Sequence, residues 1–380
     1  MKILVLYAMA GGGHLSASKA LQAQLAGAGF QVALEDSTKP FGRLVDFCCC
    51  DLYKISAKHF PWLFGLCYRL TDSRRGASGF MRFAASLFGN RLMPIIQKHD
   101  PDVIVCAYPF VCQIMSRMKA KGLISAKVVH MLTDYGLHAA WISQEADGYL
   151  ASCADAAADL QRRGVPAGKI HVCGIPVRPE FRQPADRDAL RAELGLSPDL
   201  PVLLFMAGSF GVKSVFSVFR ALDALPDPFE AVVITGKNDK LFAKFQELAG
   251  RSAHRLHPIL FTSRVADYMH ACDLLVTKPG GLTTSEALAC GIPLAVFDPI
   301  PGQEEDNARF LLERRAAVRL RSSRPKESAG QVAALLRAPE KLAEMRENCR
   351  TCLACSETLE EALGAKPGPQ HETGKELPSL

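Results

Sequence analysis

No uncharged apolar run in this chain of 380 residues approaches the ~18 residues of a membrane-spanning helix, which argues against a helical span. A secretory leader is not expected either. Met1-Lys2 leads straight into Ile3-Leu4-Val5-Leu6-Tyr7, too short for a signal-peptide core and better read as a buried strand. The expectation is a cytoplasmic protein. Charge of one sign is also scarce: 45 Lys and Arg stand against 39 Asp and Glu, a net +6, which makes no case for a nucleic-acid partner. There is no internal repeat. The thirteen cysteines, without a secretory signal, read as reduced thiols rather than a disulfide framework. Cys48-Cys49-Cys50 has no metal-ligand spacing. Cys349, Cys352 and Cys355 superficially resemble part of an iron–sulfur signature. They lie in a stretch, Leu342 to Leu363, that reads as helix, and six helical residues climb ~9 Å. Three thiolates so spread do not converge easily on one cluster, so no metal is expected.

What is present is an alternation of strand-like and helix-like segments from end to end, the pattern of an α/β protein with parallel sheets. Strands are predicted at Lys2–Tyr7, Gln31–Glu35, Asp102–Ala107, Lys127–Thr133, Gly148–Ala151 and Lys169–Cys173. A Pro- and charge-rich stretch, Pro176 to Pro201, follows. A second set runs through Val202–Met206, Ala231–Thr235, Pro258–Phe261, Leu274–Thr277 and Leu294–Phe297, with helices such as Ser214–Leu225 and Asp306–Arg314 between. Two such blocks imply two nucleotide-binding-type domains facing a cleft. The expected division is an N-terminal acceptor and membrane-facing domain over 1–180 and a C-terminal donor domain over 200–340. Residues 341–365 read as a C-terminal helix, with a return to the first domain open to it. Residues 366–380, rich in Pro, Gly and polar residues, read as a disordered tail.

Four glycine-centred turns each follow a predicted strand and precede a predicted helix. A helix start offers unpaired N–H groups and partial positive charge to an anion, and glycine lets the backbone approach it. Gly11-Gly12-Gly13-His14 lacks the dinucleotide spacing, so NAD is not supported. His14 stands at a helix start near the cleft that strand ends line; on its own residues it is either a catalytic imidazole or a capping, core-edge histidine. Gly208-Ser209-Phe210-Gly211 and Thr235-Gly236-Lys237-Asn238 repeat the layout. Lys278-Pro279-Gly280-Gly281-Leu282-Thr283-Thr284-Ser285-Glu286 is the most specific of the four. It would set N–H groups and hydroxyls on a phosphate and Glu286 against a ribose diol. Pro301-Gly302-Gln303-Glu304-Glu305-Asp306-Asn307 supplies amide and carboxylate groups that suit sugar hydroxyls, or simply an acidic helix start that the macrodipole favours.

In this order the motifs resemble the diacylglycerol glycosyltransferases: plant-type monogalactosyldiacylglycerol synthase and the bacterial processive diacylglycerol glucosyltransferase. The likeness runs from Gly11 to about Arg315. Its most diagnostic part is Met131-Leu132-Thr133-Asp134-Tyr135-Gly136-Leu137-His138-Ala139-Ala140-Trp141, followed by Gly174-Ile175-Pro176-Val177-Arg178-Pro179. A more distant likeness is to the N-acetylglucosaminyltransferase of lipid II synthesis, which lacks that combination. The resemblance implies a GT-B fold, two Rossmann-like domains facing a cleft, with acceptor in the first and UDP-sugar in the second. It implies an inverting transfer of glucose or galactose to diacylglycerol. It places Ser209, Gly211, Gly280, Gly281 and Thr283 near the diphosphate, Thr262 at the uracil edge, Glu286 on the ribose, and Gln303 with Glu304 on the donor sugar. His14 matches the proposed general base; Gly13, His138 and Trp141 fall on the acceptor side. Glu304 departs from the Gln-Gln of the lipid II enzyme, which argues against N-acetylglucosamine.

A hydroxyl acceptor is a poor nucleophile, so imidazole suits the base. Helix N-termini can stabilise the departing UDP without a metal, so neither cofactor nor metal is expected. Asp134 would orient either His14 or an acceptor hydroxyl. From Lys54 to Arg91, seven Lys or Arg and a single acidic residue, Asp72, interleave with Phe60, Trp62, Phe64, Tyr68, Phe80, Phe83 and Phe88. Such a patch suits an anionic membrane surface, with Trp62, Phe64, Arg74 and Arg75 as contacts at the inner face of the cell membrane. It could also be a solvated helix pair or bind single-stranded nucleic acid, but no nucleic-acid module accompanies it. The readings set against this one are a UDP-N-acetylglucosamine-using enzyme, of lipid II or 2-epimerase type, and a non-catalytic nucleotide- or lipid-binding protein.

Overall fold

The structure, a computed structural model, describes residues 1–9, 12–42, 60–72, 88–206, 212–353, 355 and 357–364. In its first half, β1 (Lys2–Tyr7), α1 (Gly12–Gly27), β2 (Gln31–Asp36) and α2 (Pro61–Thr71) precede a helix over 88–99, α3. Then come β3 (Val103–Cys106), α4 (Pro109–Ala120), β4 (Lys127–Met131), β5 (Gly148–Ala151), α5 (Ala154–Arg162) and β6 (Ile170–Val172). The second half holds α6 (Arg187–Leu194), β7 (Val202–Met206), α7 (Val212–Asp223), β8 (Glu230–Ile234), α8 (Asp239–Ala249), β9 (Arg255–Ile259) and α9 (Val265–Ala271). It continues through β10 (Leu274–Thr277), α10 (Gly281–Cys290), β11 (Leu294–Phe297), α11 (Gln303–Glu313), β12 (Ala317–Leu320), α12 (Pro325–Leu336), α13 (Pro339–Thr351) and α14 (Leu359–Ala362).

The strands form two six-stranded sheets, ordered β2-β1-β3-β4-β5-β6 and β12-β11-β10-β7-β8-β9. Every pairing is parallel. Their central strands read as continuous apolar runs because helices cover both faces. Strand order reverses at β1/β3 in the first sheet and at β7/β10 in the second, and ligands gather at such switch points. His14 stands in the first turn of α1, just after β1; Gly280 caps α10 and Gly281 opens it, just after β10.

Several elements differ from expectation. β9 begins three residues earlier than predicted; Pro258, read as a strand start, lies inside it, and β9 is an edge strand, where a missing N–H is tolerated. β12 was not anticipated. α11 starts at Gln303 rather than Asp306, because Gly302 turns the chain at φ 99° and Glu304, Glu305 and Asp306 fill the first turn, where negative charge is favoured. The C-terminal segment is not one helix to Leu363. α13 stops at Thr351, and Thr358 opens α14 with a capping box to Glu361. That break leaves Cys349 buried, its thiol on the Ile292 and Ala316 carbonyls, while Cys355 is exposed beyond the helix. The segment then reaches the first domain, where Glu357 pairs with His171 at 2.6 Å.

The two halves share a core. The apolar cluster around β1 and β3 runs on to Ala287, Leu288, Phe310 and Leu311 of the second half. At the seam Tyr135 stacks on Phe310 with ring centroids 4.1 Å apart. Arg314, over the Phe310 ring at 4.0 Å, bonds Asp155 at 2.7 Å.

Candidate active site

The site lies where the loops after β1, β3 and β4 meet the starts of α10 and α11. A cavity of about 290 Å³ opens there, lined by His14, Phe64, Tyr68, Asp134, His138, Trp141 and Gln303 among others. Residues from both halves therefore face one space. His14 rides the first turn of α1, its Nδ1 3.2 Å from the Thr133 hydroxyl and its ring edge-on to Tyr108 at 5.4 Å. Burial pushes its pKa down to about 4, with the Ala107 carbonyl acting the other way. The imidazole is neutral at pH 7.

The hydroxyl that meets the His14 ring belongs to Thr133, the neighbour of Asp134. The Asp134 carboxylate accepts instead from Asn307 Nδ2 at 2.9 Å. Burial lifts its pKa to about 7, Glu304 and Asp306 add to the rise, and the Asn307 bond opposes it. Asn307 is fully buried. Besides Asp134 it donates to the Pro279 carbonyl at 3.0 Å and accepts from Tyr135 N at 2.7 Å. Tyr135 Oη meets Ser285 Oγ at 2.9 Å. The loop 133–136 is thus clasped by the first turns of α10 and α11. Two glycines make the approach possible. A side chain on Gly281 would strike the Thr133 carbonyl, and one on Gly136 would strike Asp306.

Among the residues expected on the donor side, Gly280 N-caps α10 with open space where its side chain would be, and the helix start leaves free N–H groups. Thr283 is half-buried in that turn. The Thr284 hydroxyl is buried with no partner among the described residues. Glu286, one turn on, has no hydrogen bond among them either; burial lifts its pKa to about 7, Arg178 opposing and Glu180 adding. Thr262 lies past β9 beside Phe261, which is 68% exposed, and its hydroxyl accepts from Arg264 N at 3.0 Å. Gln303 faces the cavity. Glu304 turns back to accept from Ile300 N at 2.8 Å, and burial raises its pKa against the pull of Lys278. Ser209 and Gly211 lie outside the described residues.

On the acceptor side, Gly13 sits 3.9 Å, measured from where its Cβ would be, from Leu282 of α10. Trp141 is buried. His138 uses both ring nitrogens: Nδ1 accepts from Ala140 N at 3.1 Å, so Nε2 carries the proton and donates to the Tyr68 carbonyl at 3.1 Å. It braces α2 as well as lining the cavity. Trp62, with Leu63, Leu66 and Leu70, points outward from α2, while Phe64 turns inward to the cavity and Tyr68. Phe64, expected with Trp62 as a membrane contact, falls on the other stripe of this amphipathic helix. Arg74, Arg75, Phe80 and Phe83 lie outside the described residues. Reading the sequence missed Thr133, Tyr68 and Asn307 as site residues. Asn307 follows Gln303 by one helical turn, and that spacing was the available signal.

Residues 14–177 match the family described as monogalactosyldiacylglycerol (MGDG) synthase, and residues 186–351 match glycosyl transferases group 1. The chain is 30% identical over 352 residues to a processive diacylglycerol beta-glucosyltransferase of Bacillus pumilus, covering 92% of this chain and 90% of that one. It is 29% identical over 351 residues to the enzyme of the same name from Bacillus licheniformis, with the same coverage. Among solved structures, MurG of Acinetobacter baumannii aligns with a TM-score of 0.61 at 17% identity, over 92% of this chain and 94% of that one. That likeness identifies the fold as GT-B.

Proposed function

The chain belongs to the family of processive diacylglycerol β-glucosyltransferases and is a UDP-sugar-dependent glycosyltransferase acting on diacylglycerol, and on that premise we propose its donor, its base and its working surface. The donor is UDP-glucose, the sugar of the relatives' name, rather than UDP-galactose. The acceptor hydroxyl enters the cavity beside His14. It attacks C1 of the sugar opposite the diphosphate: the new O–C1 bond forms as the C1–O bond to UDP breaks, and UDP leaves with the electron pair. The hydroxyl proton passes to His14, and the product is a β-glycoside. Thr133 holds the imidazole. Gln303, with Glu304 once it releases Ile300 N, grips the sugar; Glu286 takes the ribose diol and Thr262 the uracil edge. The N–H groups at Gly280, Gly281 and Thr283, together with Ser209 and Gly211, receive the diphosphate charge, as helix starts can without a metal.

The observation that carries this reading is one cavity shared by a neutral imidazole from the first half and Gln303 from the second. No helix among the described residues is long and apolar enough to cross a membrane. The acyl chains of diacylglycerol do not leave a bilayer, and the reading is that the enzyme meets its acceptor peripherally, on the inner face of the cell membrane. Trp62, Leu66 and Leu70, each at least 41% exposed on α2 beside the cavity, are the face that meets it. His14→Ala tests the base. Its transfer rate is expected to fall about 10²-fold or more, the usual share of a general base, with UDP-glucose affinity retained. A rate within a few-fold of the native one would remove His14 from that role.

A further inference from the structure

α2 has two working faces. Trp62, Leu66 and Leu70 recur at four-residue spacing on the outside, and Trp62 and Leu70 are 68% and 66% exposed. Phe64, Tyr68 and Thr71 line the cavity on the inside. The inner face also rests directly on the loop that leads into α11. A side-chain carbon on Gly65 would sit 2.6 Å from Pro301 Cβ, and one on Gly302 would sit 2.7 Å from the Tyr68 ring. Gly302 holds φ 99°, a left-handed geometry suited to glycine. The next residues are Gln303 and Glu304. The Tyr68 ring is simultaneously 4.5 Å from the His138 ring. The C-terminal end of α2 is pinned: Asp72 pairs with Arg163 at 2.7 Å and accepts from Ala139 N at 2.8 Å. Gly65 and Tyr68 pack directly on Pro301 and Gly302, so a displacement of the outer face is passed to that loop, since close-packed contacts transmit strain.

We propose that α2 is a coupling element, in which docking of its outer face in the bilayer holds Tyr68 fast against Gly302 and so fixes Gln303 and Glu304 for the donor sugar. The proposal rests on the membrane reading above and deepens it: the grip on UDP-glucose tightens at a membrane surface before any acceptor arrives. Tyr68 is a positioning residue here. Because the loop carries the sugar-facing pair and not the nucleotide turn, the effect belongs to UDP-glucose and not to UDP.

The experiment is equilibrium titration of the full chain with UDP-glucose and with UDP, with and without phosphatidylglycerol vesicles that contain no diacylglycerol. Vesicle binding is followed in parallel by flotation. Vesicles are expected to tighten UDP-glucose about fivefold, the low end of ordinary coupling between sites, and to leave UDP unchanged. Tyr68→Phe keeps the ring and the effect. Tyr68→Ala, checked for native circular dichroism, still floats with vesicles and loses the effect. Gly65→Ala, which presses on Pro301 from the same face, alters the UDP-glucose affinity without vesicles. A wild-type protein that binds vesicles with no change in UDP-glucose affinity overturns the coupling and leaves the membrane reading standing. A protein that does not float overturns both.

Discussion

Glu286 stands one turn into α10 with burial lifting its pKa from 4.5 to about 7 and no bonded partner among the described residues. A carboxyl whose folded pKa is raised favours the folded state fully below its unfolded pKa, and that contribution is lost as pH rises through the folded value. The ligand-free protein should therefore lose stability through Glu286 between about pH 4.5 and 7. Glu286→Gln should abolish that share: its melting temperature relative to wild type climbs across the window and levels off above it. Parallel melting curves at pH 5 and pH 8 would contradict the assignment. Asp134 titrates in the same direction and His14 in the opposite one, so the difference between variant and wild type is the quantity to read. The placement of Glu286 and His14 at helix starts was legible in the sequence because it is local, a polar residue after a glycine turn. Asn307 and Tyr68 were not, since their partners come from far along the chain. Asn307 meets Tyr135 across 172 residues, and Tyr68 meets His138 across 70. Thr133 lay within a quoted motif, yet only the folded backbone reveals that it, and not Asp134, faces the imidazole.

At the scale of elements, the molecule depends on the insertion of the loop 133–136 between the starts of α10 and α11. Asn307 satisfies polar groups of both halves there and is itself 0% exposed. Asn307→Ala leaves Tyr135 N–H, the Pro279 carbonyl and the Asp134 carboxylate short of a partner in a buried seam. The expected cost is about 2–4 kcal/mol in urea unfolding. Sugar transfer should fall with it, because Asp134 loses its support at the cavity wall. A change under about 0.5 kcal/mol, the range of ordinary surface substitutions, would show that the seam does not depend on this side chain. Most strands were readable as short apolar runs between turn signals. Two of the misreadings have plain physical causes. Pro258 looked like a strand start but sits inside an edge strand that needs no N–H from it. The Leu-, Ala- and Glu-rich run after Leu342 looked like one helix, and Thr358 instead starts a new one through its own capping box.

At the scale of the whole molecule, two parallel sheets meet with their switch points toward each other, and the cavity is walled by the first half with Gln303 reaching in from the second. The alternation of strand and helix made the paired α/β blocks legible, and the ordered turns pointed to a UDP-sugar. The closeness of the halves was not legible. It depends on Gly136 and Gly281 having no side chain at the contact, and a glycine needed for close approach reads in sequence like one needed for a turn. The inward turn of Phe64 was hidden for a related reason: an aromatic in a basic stretch reads as membrane-facing until the helical phase is known.

The central claim is that a lipid hydroxyl and a UDP-sugar meet in that shared cavity with His14 as base. The most direct test incubates the purified protein with anionic liposomes containing diacylglycerol and offers UDP-glucose and UDP-galactose separately. Lipid products are identified by mass spectrometry and their anomeric linkage by NMR. The account predicts a β-glucosyldiacylglycerol from UDP-glucose that disappears in His14→Ala. An α-linked product, or no glycolipid from either sugar by a protein that still binds UDP, would contradict it.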